Sequence, residues 1–164
     1  MAGKKILMEA LRAGLELERE GIRFYSGAAK GLEDERGRET LQFLAKEEER
    51  HLRFIEGLVE ALGAGGEPPK GPRRLRKPKI FPREIKGGVG RKDRAVLEEA
   101  RGVELRSIEF YERCLAKVEG PERSAIEALI EAEKGHLEWV EFMRDCVAVH
   151  GYWCDMGEYF SLDG

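Results

Sequence analysis

Cysteine is scarce: only Cys114, Cys146 and Cys154 occur among 164 residues, and no two form a Cys-x-x-Cys pair. That spacing writes neither a disulfide framework nor a zinc or rubredoxin-type iron site, and Cys114 and Cys146 read as small core residues rather than redox centres. Long apolar runs are missing as well, since nothing approaches the ~20 residues that a membrane span requires. At the N-terminus, Glu9 interrupts the apolar stretch that a signal peptide would need. No strand-like alternation of apolar and polar residues competes with helical spacing. An excess of one charge is lacking too. The 29 Lys and Arg face 32 Asp and Glu for a net −3, with both signs mixed as on solvated helix faces. Together these absences argue against a membrane protein, a secreted disulfide scaffold and a nucleic-acid tail, and they predict a cytoplasmic location. The length suits one domain with a real core.

What the chain has is helical periodicity. Residues 6–32 place Leu7, Leu11, Leu15, Ile22 and Tyr25 on one face, and residues 35–62 carry Leu41, Leu44, Leu52 and Ile55 in the same way. Gly63-Ala-Gly-Gly-Glu-Pro-Pro ends the second segment. Asp93 is a candidate N-cap for a third helix over 93–118. Gly120-Pro121 separates it from a fourth, whose first turn suits Pro121 and whose end lies near Gly151. The first two helices are joined by few residues, as are the last two, so each pair predicts an antiparallel hairpin. Between the hairpins lies a connection over 63–92. A helix of ~25 residues is ~37 Å long, a span that ~30 extended residues cover easily. The expected fold class is therefore all-α: a ferritin-like four-helix bundle over 1–150, two antiparallel hairpins joined by a long crossover, with an aromatic tail over 151–164.

The crossover is also the one basic segment. Residues 70–92 hold ten Lys or Arg against Glu84 alone, a local charge of +9. Such a run reads as a solvated strap over an acidic bundle; its functional alternative is a docking patch for an acidic partner such as an electron-donor protein. Phe81 is its only aromatic residue, which argues against a nucleic-acid surface.

Most Glu residues sit on polar faces. Glu49, for example, has Gln42, Ala45, Lys46, Arg53 and Glu56 as its helical neighbours. Four break the pattern. Glu18 is surrounded by Leu11, Gly14, Leu15, Ile22 and Tyr25, and Glu48 by Leu41, Leu44, Ala45, Leu52 and Ile55. Glu104 has Leu97, Ala100, Arg101, Ile108 and Tyr111 around it, and Glu133 has Ile126, Leu129, Ile130, Leu137 and Val140. Each helix thus points one carboxylate inward. A buried carboxylate costs several kcal/mol unless it is protonated, paired or bound to a cation. Arg101 is the only cation in those neighbour sets, so a metal is the expected countercharge. Glu48-x-x-His51 and Glu133-x-x-His136 add a histidine to the same helix faces. Two single Glu residues plus two Glu-x-x-His pairs form the ligand set of a di-iron or di-manganese carboxylate bundle. Carboxylates with imidazole suit those metals, and the lack of thiolate argues against structural zinc.

The halves repeat. Glu18 and Glu104 lie 86 residues apart, as do Phe24-Tyr25 and Phe110-Tyr111, while the two Glu-x-x-His pairs are 85 apart. A duplicated hairpin predicts a pseudo-twofold site, with Glu48 and Glu133 as the bridging carboxylates because they share helices with the histidines. Tyr25 and Tyr111 lie two turns from Glu18 and Glu104, where a phenol can donate a hydrogen bond or an electron; the alternative is core packing.

Glu18-x6-Tyr25, Glu48-x-x-His51, Glu104-x6-Tyr111 and Glu133-x-x-His136, over residues 6–150, together resemble the rubrerythrin family of ferritin-like proteins, in a form lacking the rubredoxin domain. The resemblance implies metal ligands at Glu18, Glu48, His51, Glu104, Glu133 and His136 and a non-haem site with two iron ions per bundle, manganese being the alternative. It implies an oxidoreductase that reduces hydrogen peroxide, or is oxidised by oxygen, with electrons from an external donor protein such as a rubredoxin. One departure is that Ser107 stands where classical members carry a further carboxylate, one turn beyond the third-helix Glu. This moves the site toward the six-ligand set of ferritins, so ferroxidase chemistry for iron storage or delivery is the alternative function. A metal that merely holds charged helices together is a third. The aromatic tail predicts docking on its own bundle or on a second subunit, and a homodimer is expected.

Overall fold

Four long helices form where the periodicity places them. In the computed structural model, which describes residues 2–76 and 89–154, they are α1 (Ala2–Gly31), α2 (Glu35–Ala64), α3 (Arg91–Leu115) and α4 (Glu122–Asp145). Among the described residues there is no strand, and no helix is long and apolar enough to cross a membrane. Three residues join α1 to α2. Asp34 caps α2 by accepting the backbone N–H groups of Arg36 and Gly37 at 2.9 and 3.3 Å, two of the donors that a helix start leaves unpaired. At the other end Gly65 adopts φ +71°, a left-handed conformation that favours glycine.

The ends of α3 and α4 differ in detail from the sequence reading. Asp93 is not the N-cap of α3 but lies in its first turn, where its Oδ2 reaches back to accept the Gly90 backbone N–H at 3.0 Å. The helix starts two residues early because that carboxylate satisfies the donor from inside. At its other end α3 stops at Leu115 rather than 118. The Ala116 N–H still reaches four residues back to Glu112, but the following two turn to carbonyls three residues back, Lys117 to Cys114 and Val118 to Leu115, which tightens the chain out of the helix. Pro121 directly precedes α4, and beyond Asp145 the helix widens into a π turn, Cys146–His150, that ends at Gly151 with φ +73°.

A larger correction concerns the cysteines. Cys146 and Cys154 are joined by a disulfide, with Cα atoms 5.9 Å apart, although their spacing carries no such signal. The left-handed turn at Gly151 reverses the chain and brings the two residues together. Cys146 is nonetheless buried in the core, as expected, and Cys114 is buried and free.

The bundle interior is layered. One apolar cluster contains Tyr25, Leu41, Leu44, Leu97, Trp139 and Trp153; the other contains Leu11, Ile55, Leu58, Tyr111, Ile126 and Leu129. On every helix the inward carboxylate falls between residues of the first cluster and residues of the second, so the acids form a polar layer between two apolar ones. The described part of the crossover lies along α4. Leu75 is buried against Gly135, where a Cβ would stand 3.0 Å from the Leu75 backbone N. Trp139 Nε1 donates to the Arg76 carbonyl at 2.8 Å, and Arg74 pairs with Glu131 and Glu138 on α4. Residues 77–88 of the basic run, including Phe81 and Glu84, and tail residues 155–164 lie outside the described residues. Within the described tail, Trp153 docks on its own bundle.

Candidate metal centre

The six residues singled out by periodicity converge in the polar layer. Glu18, Glu48, His51, Glu104, Glu133 and His136 are each at most 2% exposed. Glu48, His51, Glu133 and His136 bring one ligand atom apiece within 4.8 Å of one another. Helical spacing explains the convergence, because residues three apart share a face and every helix of the bundle turns that face to a common axis.

The arrangement has the pseudo-twofold symmetry that the repeat predicts. His51 Nδ1 lies 3.0 Å from Glu133 Oε1, and His136 Nδ1 lies 3.1 Å from Glu48 Oε1. Glu18 Oε2 approaches His51 at 3.6 Å, and Glu104 Oε2 approaches His136 at the same distance. The two rings stack with centroids 4.7 Å apart and planes 3° from parallel. Tyr25 donates to Glu104 Oε1 and Tyr111 to Glu18 Oε1. Each phenol thus serves the carboxylate of the opposite half. Two turns along its own helix is ~10 Å, too far for a phenol to reach the Glu in its own motif.

Charge is poorly matched within this layer. Burial, reinforced by Glu133, Glu18 and Glu104, pushes Glu48 well above the usual carboxylate range. Burial also lifts Glu104 to about 7 against the pull of His136. At Glu133 burial acts upward too, but the two imidazoles, His51 foremost, outweigh it and hold the group low. For the imidazoles burial acts downward; Glu133 at His51 and Glu104 at His136 overcome it and raise both. Burial and then the nearest carboxylate raise both phenols, so Tyr25 and Tyr111 stay protonated as donors.

Glu18 Oε2, Glu104 Oε2 and Glu133 Oε2 are buried with no hydrogen-bond partner. Unpartnered buried carboxylate oxygens are costly unless a cation faces them. Arg101, the one cation in the neighbour sets of the four inward acids, turns instead to Glu141 at 3.3 Å. An oxygen-rich donor set with two imidazole nitrogens therefore fits divalent iron or manganese, and the residues present form a metal-binding site.

One buried acid was missed. Glu47 is 2% exposed and pairs with Arg50. Its helical neighbours Thr40, Phe43, Leu44, His51 and Phe54 carried that signal. Ser107, the position without the further carboxylate, is buried one turn beyond Glu104. The same 86-residue offset that relates the halves maps it onto Gly21, whose Cβ position lies 3.3 Å from Glu48 Cγ and Cδ. Comparison with known families gives a match to the model described as Rubrerythrin over residues 7–142. No curated protein and no solved structure matches the chain.

Proposed function

Because the chain belongs to the rubrerythrin family, we propose that it is a non-haem di-iron oxidoreductase that reduces hydrogen peroxide with electrons from a separate donor protein. The observation that carries this reading is the buried layer of four carboxylates and two imidazoles, arranged as two equal halves. Glu18 with His51 would hold one iron and Glu104 with His136 the other. Glu48 and Glu133 would lie between them, since each approaches both imidazoles: Glu48 at 3.8 and 3.1 Å, Glu133 at 3.0 and 3.5 Å. Two bound ferrous ions supply two electrons, the number that takes hydrogen peroxide to water.

The protein's own groups do the rest. Tyr25 and Tyr111 tie down one oxygen of Glu104 and Glu18, which leaves Oε2 of each, the oxygen without a partner, turned to the site. Burial and its acidic neighbours favour the protonated form of Glu48 in the metal-free chain, and a bound metal would displace that proton. The apolar clusters on either side exclude bulk water, so a small oxidant suits the site better than a bulky organic substrate. The three cysteines of this sequence make no rubredoxin-type iron site; a separate donor protein would supply the electrons.

A second reading, ferroxidase chemistry for iron storage or delivery, is favoured by one observation. Ser107 and Gly21, the paired positions one turn beyond Glu104 and Glu18, both lack a carboxylate. Stopped-flow oxidation of anaerobic, Fe²⁺-loaded protein separates the two. Peroxide reacting far faster than oxygen at equal concentration is the expected result, and oxygen reacting as fast or faster would transfer the assignment to ferroxidase chemistry.

A further inference from the structure

The disulfide and the aromatic residue beside it lie outside the metal layer, and the chemistry above does not use them. Cys146 is buried at the end of α4, whereas Cys154 is half-buried. The short loop between them makes three contacts that tie separate elements together. The Gly151 carbonyl accepts the Val89 backbone N–H at 3.1 Å, which holds the end of the crossover. Trp153 Nε1 donates to Asp93 Oδ1 at 2.8 Å, on the carboxylate whose other oxygen caps the start of α3. The fully buried Trp153 ring packs over Gly37 in the first turn of α2, where a Cβ would stand only 2.7 Å from it. One loop thus joins the end of α4 to the starts of α2 and α3. Its indole belongs to the same apolar cluster as Tyr25.

We propose that Cys146–Cys154 is a thiol-operated clasp: closed, it seats Trp153 in the end of the bundle, and a dithiol reductant opens it. Exchange begins at the more accessible sulfur. A thiolate of the reductant attacks Cys154 Sγ, the chain's S–S bond breaks, and Cys146 leaves as a thiolate that takes up a proton. The second thiol of the reductant then attacks the mixed disulfide, releasing Cys154 as a thiol. Two electrons and two protons have passed to the chain, and the reductant carries the new disulfide. With the covalent link gone, the described contacts that still tie the loop to α2, α3 and the crossover are the indole, its hydrogen bond to Asp93 and the Val89 contact, and solvent gains entry to the cluster that contains Tyr25.

The test uses the full, metal-loaded chain, prepared in air, before and after dithiothreitol. Thiol titration after denaturation should find one reactive cysteine, Cys114, before treatment and three after it. Hydrogen exchange at the Trp153 indole N–H, assigned with Trp153→Phe, should quicken at least tenfold on reduction, and the Tm should fall by several degrees. Cys114→Ser should respond like the parent. Cys154→Ser should exchange rapidly from the outset and be indifferent to dithiothreitol, which separates the clasp from any effect of the reductant on the metals. Three reactive thiols in the untreated chain would overturn the proposal. So would an indole that stays protected after reduction, or a dithiothreitol response that persists in Cys154→Ser. The parent chain alone supplies the first two of those results if the Cys154 variant fails to fold.

Discussion

Tyr25 and Tyr111 show most directly how single residues shape the centre. Each hydroxyl is buried and donates to one carboxylate oxygen of the opposite half. Removing the hydroxyl leaves that oxygen buried without a partner, which costs about 1–3 kcal/mol. Tyr25→Phe and Tyr111→Phe should therefore each lower the denaturant midpoint of the metal-free protein by an equivalent amount. The two losses should be similar because the halves are equivalent. A hydroxyl that merely filled space would leave the midpoint nearly unmoved. Cys114 contrasts with these residues: burial pushes its thiol up, so it is a poor nucleophile at neutral pH.

Among the elements, α1 carries two glycines that ought to behave differently. In an open helical position Gly→Ala gains about 0.5–1 kcal/mol, because glycine loses more backbone freedom on folding. Gly27 has nothing within 4 Å of its Cβ position, whereas a Cβ at Gly21 lies 3.3 Å from Glu48 Cγ and Cδ. Gly27→Ala should raise Tm and leave metal binding unchanged. Gly21→Ala should forfeit that gain and weaken iron binding severalfold in a titration, since Glu48 must shift to admit the methyl group. On α2 most of the buried positions come in adjacent pairs, 40 with 41, 44 with 45, 47 with 48 and 54 with 55. That arc is wider than the single stripe of a surface helix, which is why Glu47 is buried beside Glu48.

At the scale of the molecule, the charge of the polar layer couples stability to pH and to metal. Glu104 rests at about 7 in the folded chain against 4.5 for a free carboxyl, and His51 and His136 are both raised above 6.5. In each case the folded state binds more protons than the unfolded one. The stabilisation is therefore complete below the unfolded value and is lost as pH rises through the folded one. Glu133 is depressed and acts in the opposite sense, but only in more acidic solution. The metal-free protein should accordingly lose Tm steadily from pH 5 to pH 8. Metal replaces those protons and should restore Tm most strongly at pH 8. Thermal denaturation of both forms across that range checks the sign, and a metal-free Tm that climbed with pH would contradict the charge distribution described here.

Periodicity alone determined the four helices, the two hairpins and the inward faces of Glu18, Glu48, Glu104 and Glu133, because a helix fixes which residues share a face and the chain repeats that pattern twice. Glu-x-x-His spacing likewise determined where the imidazoles point. Only the tertiary structure decided which residue of one half answers which residue of the other. Tyr25 meets Glu104, Tyr111 meets Glu18, and His51 faces Glu133, since those contacts depend on how helices cross rather than on spacing within one. The disulfide belongs to the same class. Cys146 and Cys154 carry no mark of pairing until a left-handed glycine turns the chain and Trp153 finds its seat between α2 and α3. Contacts within a helix follow from its 3.6-residue repeat, whereas contacts between helices and turns depend on packing that distant residues settle together.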